Sequence, residues 1–389
     1  MTAIASNAAT RAADPGHHLQ LVQVAATSDL DHLIYREDVF DIPLEEQLAL
    51  RERFVREALA HHLAGCSDYA AYGARLTPGL DPWRVPLADI PVLPTAVFKG
   101  HEVVSVATDE VMKWCLSSGT RGVQSRIGRD RISLERLLGS VRVGLSLIES
   151  WLEDDLEVVH LGPDRQEAGD IWFMYVMSLI ELIYPTQHYV RGGVLDAEAA
   201  ISRLVELLQR RDRHIAVVGA PFQIIELAEQ IERRRIDVSG GDRVTVFSAG
   251  GWKRLSGSQI SRASFDAKVM QCFGLLRADQ VRDAFNQVEL NTVFIECSAH
   301  RKHVPPWVYI TTRNPDDLKV QPAGTRGVLS YLDASSTSYP AFLVTDDLGI
   351  VEEGECPCGR AGVTMRVERR LTRLAERGCA LTLDKRSKR

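Results

Sequence analysis

The chain has 389 residues, of which 45% are hydrophobic and 25% charged, the proportions of an ordinary folded protein. Its formal charge of -6 at pH 7 provides no general attraction to nucleic acid or to an anionic membrane. No apolar run approaches the roughly 18 residues of a membrane span, and the seven cysteines favour free thiols or a metal site over a disulfide framework. We therefore expect a cytoplasmic protein with no nucleic-acid partner and no membrane span.

The N-terminal part of the chain changes character at residue 17. Residues 1–16 are rich in alanine and lack the apolar core of a signal peptide, so we expect them to be disordered. A helix is predicted over residues 42–63, where Pro43 suits a first helical turn and two glutamates follow at the positive end of the helix dipole. The proline-rich segment 90–99 is predicted to be extended, because proline breaks helices.

The next stretch, residues 115–122, reads Cys-Leu-Ser-Ser-Gly-Thr-Arg-Gly and lies between a predicted strand and a long amphipathic helix. Glycine lets a backbone approach an anion closely, and hydroxyls with backbone N–H groups can surround phosphate oxygens. An ordinary surface turn has the same composition, since serine and glycine dominate turns for conformational reasons. Its own residues therefore leave two interpretations open, a phosphate-binding loop and a turn.

Strands and helices alternate between residues 132 and 247. The hydrophobic periodicity predicts helices over 132–152, 170–183, 197–211 and 221–235, and strands over 156–161, 214–219 and 243–247. This alternation is typical of an α/β domain with a largely parallel sheet. Ligands bind such sheets where loops leave the carboxyl ends of strands, and we expect the loops at 117–122 and 250–251 to occupy that position.

The pattern changes to short strands from residue 292 onward. They are predicted over 292–297, 307–312, 327–332 and 341–345, with turn residues between them. We expect this part to form a mixed or antiparallel subdomain. Across the whole chain there is no G-x-x-x-x-G-K-[ST] loop, no G-x-G-x-x-G after a strand and no G-x-S-x-G elbow, which argues against P-loop enzymes, dinucleotide-binding folds and α/β-hydrolases.

Four motifs, in this order, resemble the adenylate-forming superfamily of acyl-CoA synthetases, peptide-synthetase adenylation domains and luciferases. They are the 117–122 loop, Gly-Gly-Trp-Lys at 250–253, Phe-Asn-Gln-Val-Glu at 285–289 and Thr-Asp-Asp-Leu-Gly at 345–349. The superfamily has Tyr-Gly-x-Thr-Glu and Thr-Gly-Asp-Leu at the last two, so Phe285 replaces a tyrosine and Asp346 a glycine.

Further runs narrow the resemblance. Residues 282–285, 294–297 and 303–307 look like the acyl-protein synthetase subunit of the bacterial luminescence fatty-acid reductase, near the phenylacetate-CoA ligase branch. The resemblance implies an α/β fold with a large adenylate-forming N-terminal domain, residues 17–350, and a shortened C-terminal portion, residues 351–389.

The resemblance also implies a reaction. ATP would activate a carboxylic acid, with a fatty acid favoured, as an acyl-adenylate with release of pyrophosphate. The acyl group would then pass to a thiol, and an acyl-accepting or carrier protein is a further partner that the family suggests. The implied cofactors are ATP and Mg²⁺.

The family's motifs assign roles to individual residues here. The residues that would hold the β- and γ-phosphates are Ser117, Ser118, Gly119, Thr120 and Gly122. The remaining nucleotide-site residues are Gly250 and Gly251 at the adenine and acyl pocket, Phe285 of the third motif, Glu289 for Mg²⁺, Asp347 for the ribose hydroxyls and Arg370 at the hinge. Thr120 and Glu289 are also the predicted catalytic residues of adenylation. Without the resemblance, Glu289 and Asp347 would be ordinary solvated carboxylates.

Cys379 is the candidate acyl acceptor, with Arg373 and Arg377 close to it in sequence. Adjacent cations favour the thiolate, which is the nucleophilic form of cysteine. In the luminescence synthetase a cysteine at this place takes the acyl group from the adenylate as a thioester. The alternative is a small apolar side chain in a terminal strand, since free cysteine is often buried for its packing.

A second group of cysteines and histidines has the chemistry of a metal site. Tetrahedral Zn²⁺ in a structural site takes four nitrogen or sulfur ligands, and related ligases carry a similar Cys…His…Cys-x-Cys set. The resemblance therefore favours Cys297, His303, Cys356 and Cys358 as zinc ligands, with His300 as a spare. Reduced, half-buried thiols near a turn are the alternative.

Two other functions remain open at this point. In the first, the adenylate passes to CoA, a carrier protein or an amine instead of to a cysteine of the enzyme. In the second, the chain is a non-catalytic, zinc-bearing binding protein on a decayed ligase fold, which the changed Phe285 and Asp346 would suit. The residues do not identify the acid.

Overall fold

The computed structural model describes residues 28–118, 123–153, 155–250 and 261–370. The α-helices in these ranges are α1 (Asp29–Leu33), α2 (Leu44–Gly65), α3 (Ser67–Leu76), α4 (Arg131–Leu145), α5 (Ser150–Glu153), α6 (Arg165–Ala168), α7 (Trp172–Ser178), α8 (Ala197–Gln209), α9 (Pro221–Arg234) and α10 (Arg262–Phe273). The strands are β1 (Leu93–Pro94), β2 (Lys113–Leu116), β3 (Arg126–Arg129), β4 (Asp155–Leu161), β5 (Thr186–His188), β6 (Val190–Arg191), β7 (Val194–Leu195), β8 (Arg213–Gly219), β9 (Val244–Ala249), β10 (Val281–Phe285), β11 (Phe294–Ile295), β12 (Lys302–Val304), β13 (Val308–Arg313), β14 (Gly327–Asp333), β15 (Phe342–Glu355) and β16 (Ala361–Arg370).

The first sheet has the strand order β11-β10-β9-β8-β4-β5. Its strands are parallel except for β11, which is antiparallel to β10. One face packs on α8, α9 and α10 through residues such as Val217 and Val246, and the other face contributes Ala216, Val218 and Phe247 to a second core. The largely parallel α/β sheet predicted from the sequence is therefore confirmed. Strands that are covered on both faces are continuous apolar runs in the sequence, and this pattern made them predictable.

The second sheet has the order β12-β16-β15-β14-β13, and all of these strands are antiparallel to their neighbours. The short β1 adds to it in parallel, pairing Leu93 with Leu343 of β15. The mixed subdomain predicted for the end of the chain is therefore confirmed. β15 is longer than the strand predicted over 341–345, because it continues through Asp346 and Asp347 with an irregularity at Leu348.

The predicted boundary between residues 350 and 351 falls within β15. The pairing of β15 with β16 continues on both sides of it, from Asp347 opposite Arg370 to Glu355 opposite Ala361. In the described part of the chain, residues 351–370 thus belong to the same sheet as β13 and β14. The division into domains stays a prediction.

The β2 and β3 strands form a separate antiparallel hairpin, in which Lys113 pairs with Arg129 and Leu116 with Arg126. The prediction that the 117–122 loop leaves a strand of the parallel sheet is therefore wrong, because the strand before it forms a ladder with β3 and none with a strand of that sheet among the described residues. The loop at residue 250 does follow β9 at the carboxyl end of that sheet.

Two predicted helices are interrupted. The helix predicted over 132–152 ends at Leu145 and is followed by the short α5. The helix predicted over 170–183 is α7 followed by a 3-10 helix, Leu179–Leu182. In addition, the described residues contain no helix with the length and apolarity needed to cross a membrane.

Candidate active site

The hairpin loop and the segment after β10 meet at Ser125. The Ser125 N–H donates to Ser117 Oγ at 3.0 Å, and the Ser117 N–H donates to the Ser125 carbonyl at 3.0 Å. The Ser125 side chain in turn faces the carboxylate of Glu289, whose pKa is raised by burial, and opposes that increase. Because Ser125 contacts both, two residues from separate predicted motifs, Ser117 and Glu289, lie in one site. Ser118, the next residue of the loop, is exposed.

Glu289 is a buried carboxylate in the connection between β10 and β11, with 5% of its surface exposed. Burial raises the pKa of Glu289, whereas Ser125, the backbone and the charges of Arg370 and Lys99 act in the opposite direction. A carboxylate oxygen is the kind of ligand that binds a divalent ion such as Mg²⁺. The sequence-based alternative of a solvated surface glutamate is excluded by this burial.

Asp347 joins the second sheet to the same site. It is buried in β15, and Gln287 Nε2 donates to its Oδ2 at 3.4 Å. Its own N–H donates to Thr345 Oγ1 at 3.1 Å. Phe285 of the third motif also contacts the second sheet, since its ring stacks on that of Tyr331 in β14 with centroids 6.4 Å apart.

Gly250 lies at the carboxyl end of β9 with φ of +88°. A Cβ atom at this position would lie 2.6 Å from the Phe173 ring of α7, too close for any side chain. A left-handed φ and a close approach together require glycine here. The backbone of the predicted nucleotide loop is therefore pressed against α7 at the edge where ligands of parallel sheets bind.

Arg370 is the last described residue and lies opposite Asp347 in the β15–β16 ladder. Its Nη2 is 3.7 Å from Asp346 Oδ2, and both side chains are 38% exposed. Asp346, which replaces the glycine of the superfamily motif, thus has a cationic neighbour. The hinge role of Arg370 stays a prediction.

Arg129 belongs to the site, although no sequence motif points to it. Its side chain is fully buried, and its Nη2 donates to the carbonyls of Val288 at 2.6 Å and Leu290 at 3.1 Å, on either side of Glu289. Its guanidinium also lies 3.5 Å from the centre of the Trp172 ring. Arg129 therefore fixes the backbone that carries the Glu289 carboxylate. Nothing in the run Arg-Ile-Gly-Arg distinguishes it from an exposed arginine.

The buried polar atoms without a hydrogen-bond partner among the described residues include Gln287 Oε1, on the side chain that donates to Asp347. Buried polar groups in folded proteins are normally paired. Open hydrogen-bonding capacity beside a buried carboxylate and two cations is consistent with a polar ligand such as a nucleotide with its metal ion. The predicted residues Gly119, Thr120, Gly122, Gly251 and Cys379 lie outside the described part of the chain.

The predicted zinc ligands lie together at a second location. The ligand atoms of Cys297, His303, Cys356 and Cys358 are all within 4.8 Å of one another. Cys297 Sγ is 3.7 Å from Cys356 Sγ, and His303 Nε2 is 3.2 Å from Cys358 Sγ. His300, the spare, instead faces Glu296. Four such ligands around one point have the chemistry of a structural zinc site.

Cys297 and Cys356 each begin a tight turn of the same kind. The Cys297 N–H donates to the Arg301 carbonyl, and the Cys356 N–H donates to the Arg360 carbonyl, both at 2.9 Å. Each turn includes a left-handed residue, His300 in the first and Gly359 in the second. Burial raises the pKa of Cys297 and raises that of Cys356 to about 12, while it lowers the pKa of His303 to about 4.

A sequence profile described as "Acyl-protein synthetase, LuxE" matches residues 18–387 of the chain. The chain belongs to the LuxE family. Two LuxE relatives are named long-chain-fatty-acid–luciferin-component ligase. The protein from Aliivibrio fischeri is 42% identical over 93% of this chain and 95% of its own length, and that from Vibrio harveyi is 39% identical over 93% and 94%. The resemblance stated from the sequence is confirmed.

Solved structures extend the comparison to the fold. A 2-hydroxyisobutyryl-CoA ligase in an open conformation, with 2-HIB-AMP and CoA bound, has a TM-score of 0.62 and 17% identity over 85% of this chain and 75% of its own. The same ligase in the thioesterification state gives 0.63 over 86% and 70%. At this identity the likeness concerns the fold alone, and it confirms that this LuxE-family chain has the adenylate-forming α/β fold.

Proposed function

We propose that this LuxE-family protein activates a long-chain fatty acid with ATP and then transfers the acyl group to a thiol. The observation that carries the proposal is the junction of Ser117, Ser125, Glu289 and Asp347 in one site. The names of the two curated relatives support a long-chain fatty acid as the substrate.

In the first step, a carboxylate oxygen of the acid attacks the α-phosphorus of ATP. The new oxygen–phosphorus bond forms as the bond to the β-phosphate bridge breaks, and that electron pair leaves with pyrophosphate. The Ser117–Gly122 loop would hold the β- and γ-phosphates through hydroxyls and N–H groups, with Thr120 at the leaving group. Positioning and charge stabilisation supply most of the catalysis in such transfers.

The nucleotide would be oriented by the motifs from the two sheets. Asp347, already fixed by Gln287, would accept hydrogen bonds from the ribose hydroxyls, as a carboxylate can with two oxygens. Gly250 and Gly251 would leave room for the base, near Phe285. Glu289 would hold Mg²⁺, which neutralises phosphate charge when bound.

The second step would use Cys379. Its thiolate attacks the acyl carbonyl of the adenylate, and AMP leaves with the electron pair of the broken carbon–oxygen bond. Nine residues after Arg370 can span at most roughly 30 Å of extended chain, and Arg370 lies opposite Asp347. The thiol is therefore within reach of the site. An acyl-accepting protein would then receive the acyl group.

The cysteine and histidine cluster would hold a structural zinc ion. All four residues supply soft or imidazole ligands, which leaves no open position for a substrate. The cluster ties β12 and the β15–β16 hairpin to the turn after β11, and zinc there would stabilise the second sheet. It would take no part in adenylation.

ATP–pyrophosphate exchange with a panel of acids tests the first step. Saturated acids of increasing length, an aromatic acid and amino acids are each incubated with the protein, Mg²⁺, ATP and labelled pyrophosphate. We expect exchange that depends on a long-chain acid. Absence of exchange with every acid, despite tight ATP binding, would support the non-catalytic alternative instead.

The mass of the intact protein tests the second step. After incubation with ATP and the preferred acid, we expect the mass to increase by one acyl group. Hydroxylamine should remove the added mass, and Cys379→Ala should not acquire it. Cys272→Ala, which removes a partly exposed thiol on α10, serves as the control. If Cys379→Ala shows full turnover with a soluble acceptor such as CoA, the proposed acyl-enzyme step on Cys379 is refuted.

A further inference from the structure

Lys99 ends a 3-10 helix, Thr95–Lys99, that lies between two parts of the site. The helix follows β1, which pairs with β15 at Leu343 and Val344, a few residues before Asp347. The helix also packs on β15 and on β3, the strand that follows the 117–122 loop. Lys99 is thus placed between the strand that carries Asp347 and the hairpin that carries the loop.

The backbone that presents Lys99 is firmly anchored. Thr95 and Phe98 are buried, and the Phe98 ring packs edge-to-face on Tyr339 with centroids 6.1 Å apart. The Tyr339 hydroxyl accepts a hydrogen bond from Arg129, the residue that fixes the Glu289 segment. The base of the Lys99 side chain is therefore held in place relative to Glu289, while the side chain itself is exposed.

Lys99 differs from the other lysines of the described part of the chain. Each of the other four is paired with a carboxylate within 3.3 Å: Lys113 with Asp170, Lys268 with Glu232, Lys302 with Asp283 and Glu296, and Lys319 with Asp317. Lys99 forms no ion pair within 4.0 Å among these residues. The packing of its helix on β15 and β3 places Lys99 beside the site, and its positive charge opposes the larger effect of burial, which raises the pKa of Glu289.

The chemistry of the site requires such a cation. Two carboxylates, Glu289 and Asp347, face the position proposed for ATP, and the transfer step adds negative charge to the departing pyrophosphate. Arg370, the other cation that acts on Glu289, already has Asp346 beside it. A lysine ammonium is a compact charge with three donors on a flexible stem, well suited to phosphate oxygens.

We propose that Lys99 is a phosphate-binding residue of the adenylation site, which donates hydrogen bonds to the phosphates of ATP and to the pyrophosphate as it leaves. This assignment rests on the proposed adenylation reaction. Lys99 would hold the leaving group in the transfer step without itself gaining or losing a proton.

Lys99→Met and Lys99→Arg test the proposal, with Lys319→Met as the matched control, since Lys319 is also an exposed lysine. In pyrophosphate exchange we expect Lys99→Met to lower kcat by about 100-fold, the usual loss on removing one charge-stabilising donor, and to raise the KM for pyrophosphate. Lys99→Arg keeps the charge and should recover part of the rate. Because Lys99 is exposed, the Tm of both variants should match that of the wild type.

Calorimetric titration of the full chain with magnesium pyrophosphate is the second measurement. We expect Lys99→Met to weaken binding about tenfold, the loss of one charged hydrogen bond, and Lys319→Met to leave it unchanged. Lys99→Met with wild-type kcat, KM and pyrophosphate affinity would overturn the assignment. A wild-type protein that binds pyrophosphate through Lys99 but exchanges with no acid would refute the proposed adenylation and support the binding role of Lys99.

Discussion

Arg129 lies under the Glu289 segment with its guanidinium 3.5 Å from the centre of the Trp172 ring. Trp172 in turn donates from its Nε1 to Asn286 Oδ1 in the same segment. The hairpin that carries the predicted phosphate loop, the helix α7 and the connection after β10 are thus joined through one buried arginine. The position of the Glu289 carboxylate depends on all three.

Arg129→Lys separates the role of Arg129 in positioning the Glu289 segment from the effect of its positive charge. Lysine keeps the positive charge but cannot donate to both the Val288 and the Leu290 carbonyls in the planar geometry of a guanidinium. We expect a loss of about 2–4 kcal/mol in unfolding free energy, since buried groups are left unpaired, and a raised Mg²⁺ requirement in pyrophosphate exchange. Urea unfolding and a Mg²⁺ titration measure the two effects. Arg84→Lys, at an exposed position, is the control, and an unchanged Mg²⁺ requirement would contradict the positioning role.

Glu289→Gln should abolish exchange without weakening the fold. Burial raises the pKa of Glu289 above its ordinary value of 4.5 in the folded protein, so the folded state binds more protons than the unfolded state as pH rises above 4.5. The wild-type unfolding free energy therefore falls with rising pH in this window, in the absence of Mg²⁺. Glutamine does not titrate, so the unfolding free energy of the variant lacks this decrease. The variant should therefore become more stable than the wild type as pH rises above 4.5. Urea unfolding at several pH values checks the sign, and a variant that becomes less stable instead would contradict the burial argument.

Gly250→Ala tests the contact with α7. The new Cβ would meet the Phe173 ring at 2.6 Å, in addition to the strain of a φ of +88°. We expect a loss of about 2–4 kcal/mol in unfolding free energy together with a raised KM for ATP. Gly79→Ala is the matched control, because Gly79 has a φ of +74° and no atom within 4 Å of the added Cβ. Equal losses in the two variants would show that backbone strain alone explains the effect.

Metal removal tests the cysteine and histidine cluster. We expect the purified protein to contain one zinc ion per chain and chelation to lower the Tm by at least about 5 °C, since the cluster ties several strands together. Cys356→Ser should lose the zinc, whereas Cys66→Ser, at a buried thiol outside the cluster, should retain it. A protein without zinc whose Tm does not respond to added zinc would leave the four residues as reduced side chains.

The parallel sheet could be predicted from the sequence because its strands are apolar runs between amphipathic helices. The hairpin could not, since β3 contains two arginines and a glycine in four residues and gives no strand pattern. The strand predicted over 292–297 is reduced to Phe294–Ile295, because the Val293 N–H donates to the Ser140 hydroxyl and not to a neighbouring strand. Such polar networks depend on residues far apart in the chain.

The residues of the candidate site likewise divide into those that the sequence could predict and those that it could not. Glu289 and Asp347 could be placed in one site because each lies in a recognisable motif. The cysteine and histidine cluster could be predicted because these residue types bind metals wherever they occur. Arg129 and Lys99 could not be predicted. Arg129 binds the carbonyls of residues 159 and 161 positions later in the chain. The role proposed for Lys99 depends on the strand pairing between β1 and β15.

The hairpin of β2 and β3 shares no ladder with either sheet. It is attached to the rest of the protein by a bridge between Leu116 and Ile171, by the ion pair of Lys113 with Asp170 and by the buried side chains of Cys115, Ile127 and Arg129. An isolated two-stranded ribbon is marginally stable, so the order of this ribbon depends on side-chain contacts with the core and not on a ladder with either sheet. A nucleotide bound at the loop between its two strands would add contacts to the ribbon and would thus stabilise it.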